Sequence, residues 1–426
     1  MFKTLKNAWA IADLRKKLIF TALIMLLFRL GSVVPVPFIN VSNLQLYYDT
    51  SLSNTILGLY NAMSGSAFSS ATILALGIQP YINASIIIQL LCIAIPALER
   101  LSKEGGEEGK KKIERITRYT TIGLGLLMGW AYYMMLFNYN KAYTGNAILT
   151  NTEVLPAIVI ILAFTAGSAV VMWLGEQITE HGIGNGISMI LFANIISRLP
   201  EMTGTTINMG WWGILVAVGM LALIVLIVFV NDAERRIPIQ YAKRVVGRKQ
   251  YGGQSTDLPI KVSMTGVMPI IFAQSIASLP ATICAFIPGG VDSWVNKNLF
   301  DSNTGVYAVC YFLLIFFFGW FYASIQYDPV EISNNLKKNG GFIPGFRPGK
   351  PTAEFIKKVI NKIVVFGSVY LGIVALLPIV AGNLFPSVKE LAIGGTSIII
   401  VVSVALETVK ALEAQMLMRH YKGFLD

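Results

Sequence analysis

Charge is what this sequence has least of. Only 13% of its 426 residues are Asp, Glu, Lys or Arg, and 54% are hydrophobic. The mean hydropathy is +0.63. No soluble core needs that much apolar sequence, so a soluble globular protein is excluded. Cysteine is nearly absent too. Cys92, Cys284 and Cys310 all fall inside apolar runs, where cysteine acts as a small hydrophobe and builds no disulfide framework. The two histidines, His181 and His420, stand far apart and no H-E-x-x-H occurs, so no metal site is expected. Phosphate loops fail as well. KEGGEEGKKK at 103–112 has the wrong glycine spacing and no Ser or Thr after its lysine, and PGFRPGKPT at 344–352 fails the same test. GIGNG at 182–186 reads as a tight turn between spans. No cofactor and no catalytic site are therefore expected, and any ATP-driven work must come from a partner.

What is there is a series of long apolar runs. Ten spans are placed at about 18–37, 72–95, 116–137, 154–174, 183–199, 211–230, 264–288, 306–326, 360–381 and 393–412. A bilayer core takes about 20 apolar residues per straight helix. The reading is an all-α polytopic membrane protein with ten transmembrane helices. Lys16-Lys17 before the first run imitate a signal peptide, but no small-residue cleavage site follows. Residues 1–17 place Phe2, Leu5 and Trp9 on one face among basic residues, which suits a cytoplasmic surface helix.

The net charge of +11 sits between the runs. Lys141, Arg198, Lys297, Lys389 and the intramembrane Arg29 aside, the other 29 of the 34 Lys and Arg fall in one set of loops. That set is cytoplasmic by the positive-inside bias, and both termini belong to it. Ten spans divide into halves 18–200 and 211–426, joined by an external hinge at 201–210. Five is odd, so related halves would be inverted.

Three places break the pattern. Stretch 55–91, TILGLYNAMSGSAFSSATILALGIQPYINASIIIQLL, is too apolar for a loop and too broken for one span. A short helix over 56–63 ends at Ser64-Gly65-Ser66, and Pro80 is expected to cut the run again. Irregular backbone at membrane depth survives only where protein buries it or it lines a wet cavity. Arg29 inside the first span calls for a packing partner or a carbonyl. Glu407, Lys410 and Glu413 step along the last span's end and read as a solvated terminus. The cytoplasmic loops 231–262 and 327–358 run far beyond the usual 2–8 residues. Their mixture of bases, aromatics and prolines fits anionic lipid, ribosomal RNA or a protein motor. A secondary transporter would share the broken helix but needs mid-membrane acids. An intramembrane enzyme needs a Ser/His, Asp-pair or metal set. Neither set is in evidence.

GIQPYINASIIIQLL, WLGEQITEHGIGNGIS, RRIPIQYAKR, QSTDLPIKV, NLKKNGGFIPGFRPG and GGTSIIIVVSV resemble, in order, motifs of the bacterial SecY family. That family supplies the channel subunit of the Sec protein translocon. The resemblance implies two inverted five-helix halves forming a clamshell around an hourglass pore. It implies a protein-conducting channel for unfolded secretory chains, releasing hydrophobic segments sideways into lipid and driven by an external motor or the ribosome. It places the pore ring on Ile78, Ile82, Ile187, Leu191, Ile271 and Ile400. It places a plug at 55–70, including Ile56, Leu57, Leu59, Tyr60, Met63 and Gly65. Asn83, Gln89 and Gln274 would hold the lateral gate. Arg235, Arg236, Lys243, Arg244 and Arg347 would meet the motor or ribosome. The implied partners are SecE and SecG small membrane subunits, a SecA ATPase motor, the ribosome, preproteins with signal sequences, the YidC insertase and anionic lipid. The implied location is the bacterial plasma membrane. Gln79 departs from the family's apolar residue and is expected to face away from Ile78.

Overall fold

A computed structural model describes residues 2–52, 56–103, 105–142, 147–241, 244–246, 249–251, 255–263, 266–286, 304–384 and 389–422. The chain opens with α1 (Phe2–Ala10), α2 (Ala12–Gly31) and α3 (Val41–Tyr47), and a π-helical turn follows α3. Next come α4 (Ile56–Met63), α5 (Gln79–Ala94), α6 (Pro96–Lys103), α7 (Gly106–Ala142), α8 (Val154–His181), α9 (Gly186–Ser197), α10 (Leu199–Asn208) and α11 (Trp211–Asp232). Four strands follow: β1 (Glu234–Tyr241), β2 (Arg244–Val246), β3 (Lys249–Tyr251) and β4 (Ser255–Lys261). The rest is α12 (Met268–Phe286), α13 (Gly305–Gln326), α14 (Pro329–Lys338), β5 (Gly341–Phe342), α15 (Lys350–Leu384) and α16 (Lys389–Lys422).

Each expected span coincides with a helix: α2, α5, α7, α8, α9, α11, α12, α13, α15 and α16. Among the described residues, five helices are long and apolar enough to cross a membrane, or six with the bent α5–α6 pair counted as one. The outer faces confirm what surrounds them. Leu215, Val218, Leu221, Val225 and Phe229 of α11 are all exposed, a stripe that only lipid can solvate. Trp211 and Trp212 stand at its end, where amphipathic rings favour the membrane interface. This is a multi-pass membrane protein.

The largest core is shared by both halves. Ile24, Phe28, Ile82, Val171 and Ile195 pack with Ile227, Ile271, Tyr311, Val374 and Ile400 in one cluster. A second cluster joins α4 and the stretch after it to α7 and α8 through Tyr60, Phe68, Tyr132 and Phe164.

Several expectations are corrected. Pro80 does not cut a helix; it lies in the first turn of α5, which starts at Gln79. There its missing N–H costs nothing. Of the expected span 72–95, only the part from Gln79 is helical. At its other end α5 meets α6 at 107° beside Pro96. The expected hinge 201–210 is largely the helix α10. The expected loop around 103–115 is mostly the first turns of the 37-residue α7. The all-α expectation misses a small sheet of order β4-β1-β5.

That sheet joins the two long basic loops, 231–262 and 327–358. β1 pairs antiparallel with β4 from Glu234↔Lys261 to Gln240↔Ser255. It also takes β5 from the other loop, Gln240↔Phe342 and Tyr241↔Gly341. Period-two burial decides its faces. Ile237 and Ile239 point in, while Arg236, Pro238 and Gln240 point out. The inward face packs with Leu336, Ile343, Ile356 and Ile360 in a separate cluster.

Candidate functional site

The broken stretch folds into the middle of the protein. After α4 the backbone turns repeatedly from Ser64 to Ile78 before α5 begins. Its polar groups are satisfied by side chains, as burial demands. The Tyr60 hydroxyl donates to the Leu76 carbonyl at 2.9 Å, and the Tyr132 hydroxyl to the Phe68 carbonyl at 2.7 Å. The Asn61 Oδ1 accepts from the Ser69 N–H at 2.9 Å. Tyr60, Phe68, Tyr132 and Phe164 stack edge to face along this path.

Arg29 has the carbonyl its burial calls for. Its Nη1 donates to the Gly65 carbonyl at 3.2 Å. Gly65 takes φ +64°, and an added Cβ would lie 3.0 Å from Arg29 Nη1 and 3.1 Å from both Asn194 O and Ser197 Oγ. Left-handed backbone costs a side chain about 1–2 kcal/mol, and here a wall is added. Gly65→Val is expected to unseat α4 and raise resting ion conductance in a planar bilayer at normal protein abundance. An unchanged conductance would show that Gly65 does not seat α4.

The six ring candidates do converge. Ile78, Ile82, Leu191, Ile271 and Ile400 are buried in the shared cluster, and Ile187 packs against it half-buried. They come from α5 and the turn before it, α9, α12 and α16, so both halves contribute. Met63 at the end of α4 belongs to the same cluster, and α4 packs on α9, α12 and α16. Of the plug candidates, Leu57, Tyr60, Met63 and Gly65 are buried. The side chains of Ile56 and Leu59 lie outside the described residues.

The three seam candidates do not meet one another. Asn83 reaches Met128 Sδ of α7 at 4.0 Å, and Gln89 bonds Ser85 of its own helix at 3.4 Å. Gln274 of α12 is buried, and its Oε1 has no partner among the described residues. The polar contact that crosses from α5 to α12 belongs to Gln79. Its Oε1 accepts from Ser275 Oγ at 3.2 Å. Gln79 is buried against α4, where its Nε2 lies 3.4 Å from Met63 Sδ. The sequence signal was there: an amide in an apolar run, directly before the proline that opens a helix. Beyond this contact a cavity of about 1250 Å³ opens between α5 and α13, lined by Tyr81, Gln89, Cys92, Trp320, Phe321 and Tyr327 among others.

The cytoplasmic candidates stand on the sheet domain. Arg235 and Arg236 are exposed on β1, and Arg236 Nη2 pairs with Glu234 at 2.6 Å. Arg347 is exposed in the turn between β5 and α15. Lys243 and the side chain of Arg244 lie outside the described residues. The end of α16 is better tied than a solvated terminus. Lys410 Nζ pairs with Asp232 at 2.8 Å and donates to the Asn231 carbonyl at 3.2 Å, and Thr4 bonds Glu413 at 3.0 Å.

The fold has solved counterparts. The chain superposes with TM-score 0.66 at 19% identity on a structure described as that of a protein conducting channel, covering 94% of this chain and 92% of that one. It superposes with TM-score 0.62 at 16% identity on Sec61 in a canine ribosome–channel complex, with coverage of 94% and 92%. In sequence it is 44% identical to the protein translocase subunit SecY of Streptomyces galbus, over 100% of both chains. It is 42% identical to that of Corynebacterium glutamicum, over 98% of this chain and 99% of the relative. The SecY family model matches residues 72–409. With that match covering well over half of the chain and full-length relatives above 40% identity, the chain belongs to the SecY family.

Proposed function

We propose that the chain is a protein-conducting channel, passing unfolded polypeptides across a membrane through the ring of Ile78, Ile82, Ile187, Leu191, Ile271 and Ile400. The observation that supports this is an aliphatic cluster holding these residues, to which helices from both ends of the chain contribute and against which the half-helix α4 packs on α9, α12 and α16. A translocating chain presents polar backbone with arbitrary side chains. A gasket around it must exclude ions and offer no hydrogen bonds that would hold the chain. Branched aliphatic side chains dewet a constriction and repack around varied shapes. The family is one of translocation channels, and the protein is not an enzyme.

In this reading residues 18–200 and 211–426 are the clamshell halves and 55–70 the plug. The halves part along α5/α7 and α12/α13, where a hydrophobic signal helix enters lipid. The cavity between α5 and α13 supports that route. Asn83, Gln89 and Gln274 are the seam residues the resemblance implies, and the Ser275–Gln79 hydrogen bond crosses from α12 to α5; membrane hydrogen bonds average about 0.6 kcal/mol, small enough for a signal helix to displace. The sheet domain, with Arg235, Arg236, Lys243, Arg244 and Arg347, docks a SecA motor or the ribosome, and a fold relative solved on a ribosome supports the latter. SecE and SecG subunits, YidC and anionic lipid are the remaining partners. The membrane is the bacterial plasma membrane, with both termini cytoplasmic. Reporter fusions after residues 110, 250 and 345 are expected to read cytoplasmic, and those after 145 and 295 external. A cytoplasmic reading at 295 would overturn the ten-span topology. The function is tested in proteoliposomes holding the complex. An unfolded, signal-bearing preprotein is expected to become protease-protected only when motor and ATP are added. Protection without this channel, or none with it, would refute the reading.

A further inference from the structure

We propose that Gln79 is a positioning residue that couples the plug to the lateral seam, an assignment that rests on the channel reading above. One side chain touches three elements. Gln79 belongs to the first turn of α5, its Oε1 accepts from Ser275 Oγ of α12 at 3.2 Å, and its Nε2 reaches Met63 Sδ of α4 at 3.4 Å. All three groups are out of solvent, with Gln79 5%, Ser275 0% and Met63 3% exposed. Their neighbours are the ring itself: Ile78 precedes Gln79, and Ile271 lies one helical turn before Ser275.

A buried amide cannot be indifferent to those movements. Stranding its donor or acceptor in an apolar core is costly, whereas the same group in a wetted channel finds water. Both contacts exist together only when the seam is shut and α4 is seated. Swinging α12 away from α5 takes the donor from Oε1. Withdrawing α4 takes the thioether, a weak acceptor, from Nε2. Each movement therefore removes part of the reason for the other element to stay. Coupling of that kind is reciprocal: what favours an open seam favours a displaced plug, and the converse. The aliphatic ring supplies no directional contact, so Gln79 gives the closed state a polar register that aliphatic packing lacks. It also sets a threshold, because a signal helix must gain enough from lipid to offset the contact.

The size follows from membrane hydrogen bonds, which average about 0.6 kcal/mol and reach about 1.7. Loss of the contact should raise the opening equilibrium about threefold, and by roughly 15-fold at most. The experiment uses the full channel purified with its membrane partners. Wild type, Gln79→Met, Ser275→Ala and the double variant are compared. Methionine matches glutamine in length, and Ser275→Ala removes a single hydroxyl, so folding is spared. Two quantities are read: resting ion conductance without substrate, and import of preproteins whose signals are graded in hydrophobicity. Each single variant is expected to raise resting conductance about threefold and to lower the least hydrophobic signal accepted. The double variant should match Gln79→Met, since the Ser275 bond cannot be lost twice. Additive effects, or a Gln79→Met channel like wild type in both readouts, would overturn the coupling. A residue that merely packs would alter abundance without moving the signal threshold. A wild-type channel that imports no preprotein would instead overturn the channel reading beneath it.

Discussion

Arg347→Glu is expected to abolish motor-driven import while leaving membrane assembly intact. The turn that carries Arg347 is held from several sides. Ile343 is buried in the cluster beneath the sheet, and Phe346 stacks on Phe355 with centroids 4.3 Å apart. Gly345 and Gly349 take φ +88° and +105°, conformations that any side chain would resist. Thr352 Oγ1 donates to the Arg347 carbonyl at 2.8 Å, and Ser333 Oγ to the Gly349 carbonyl at 2.9 Å. The backbone is thus fixed while the guanidinium stands exposed, so little entropy remains to be lost on docking. A planar fork presented this way suits carboxylates or backbone carbonyls, and lysine cannot copy it. Interface arginines of this kind contribute about 2 kcal/mol or more, roughly 30-fold in binding. Charge reversal adds repulsion to that loss. Arg347→Lys should fall between wild type and Arg347→Glu. The measurement is ATP-dependent import into proteoliposomes with purified motor, scaled to channel abundance. Normal import by Arg347→Glu would reduce this arginine to a positive-inside charge.

Paired Ile82→Asn and Ile271→Asn substitutions are expected to make the channel leak. Both side chains are essentially solvent-free, at 2% and 1% exposure, within the cluster that also holds Met63. Burying an isoleucine is worth about 1.5–3 kcal/mol, which is roughly 10- to 100-fold in the closed-state equilibrium for each. An amide in its place holds water at the constriction and defeats dewetting. Resting ion conductance should rise by at least the lower factor, and weak signals should be accepted. A folded double variant with wild-type conductance would remove Ile82 and Ile271 from the seal.

Each apolar run coincides with a helix, and the five or six described helices long and apolar enough to cross a membrane all lie among them, because a bilayer forces both length and composition. The sequence showed much less about what lies outside it. Glu107 and Glu108 stand four residues before Lys111 and Lys112, a spacing that favours helix. This explains why α7 extends through what reads as a charged loop. Asp328-Pro329 is an N-cap followed by an N1 proline, and Asp328 Oδ1 indeed accepts from the Val330 N–H at 2.8 Å. The alternation in RRIPIQY marks a strand. Its pairing with β5, about a hundred residues on, is a non-local event that no local pattern encodes. The contacts of Gln79 were not legible for a related reason: helical phase puts it off the Ile78 face, and only the packing of α4 and α12 on the start of α5 supplies its partners.

The account stands or falls on where the polypeptide passes. A preprotein can be arrested partway through the channel by a folded C-terminal domain, with a photo-crosslinker placed singly at positions 82, 271, 400, 218 and 221. Ile82, Ile271 and Ile400 lie in the shared core, whereas Val218 and Leu221 face outward on α11. The arrested chain is expected to crosslink at 82, 271 and 400, and to miss 218 and 221. Crosslinks confined to 218 and 221, with none at the ring, would contradict a path through the centre of this protein.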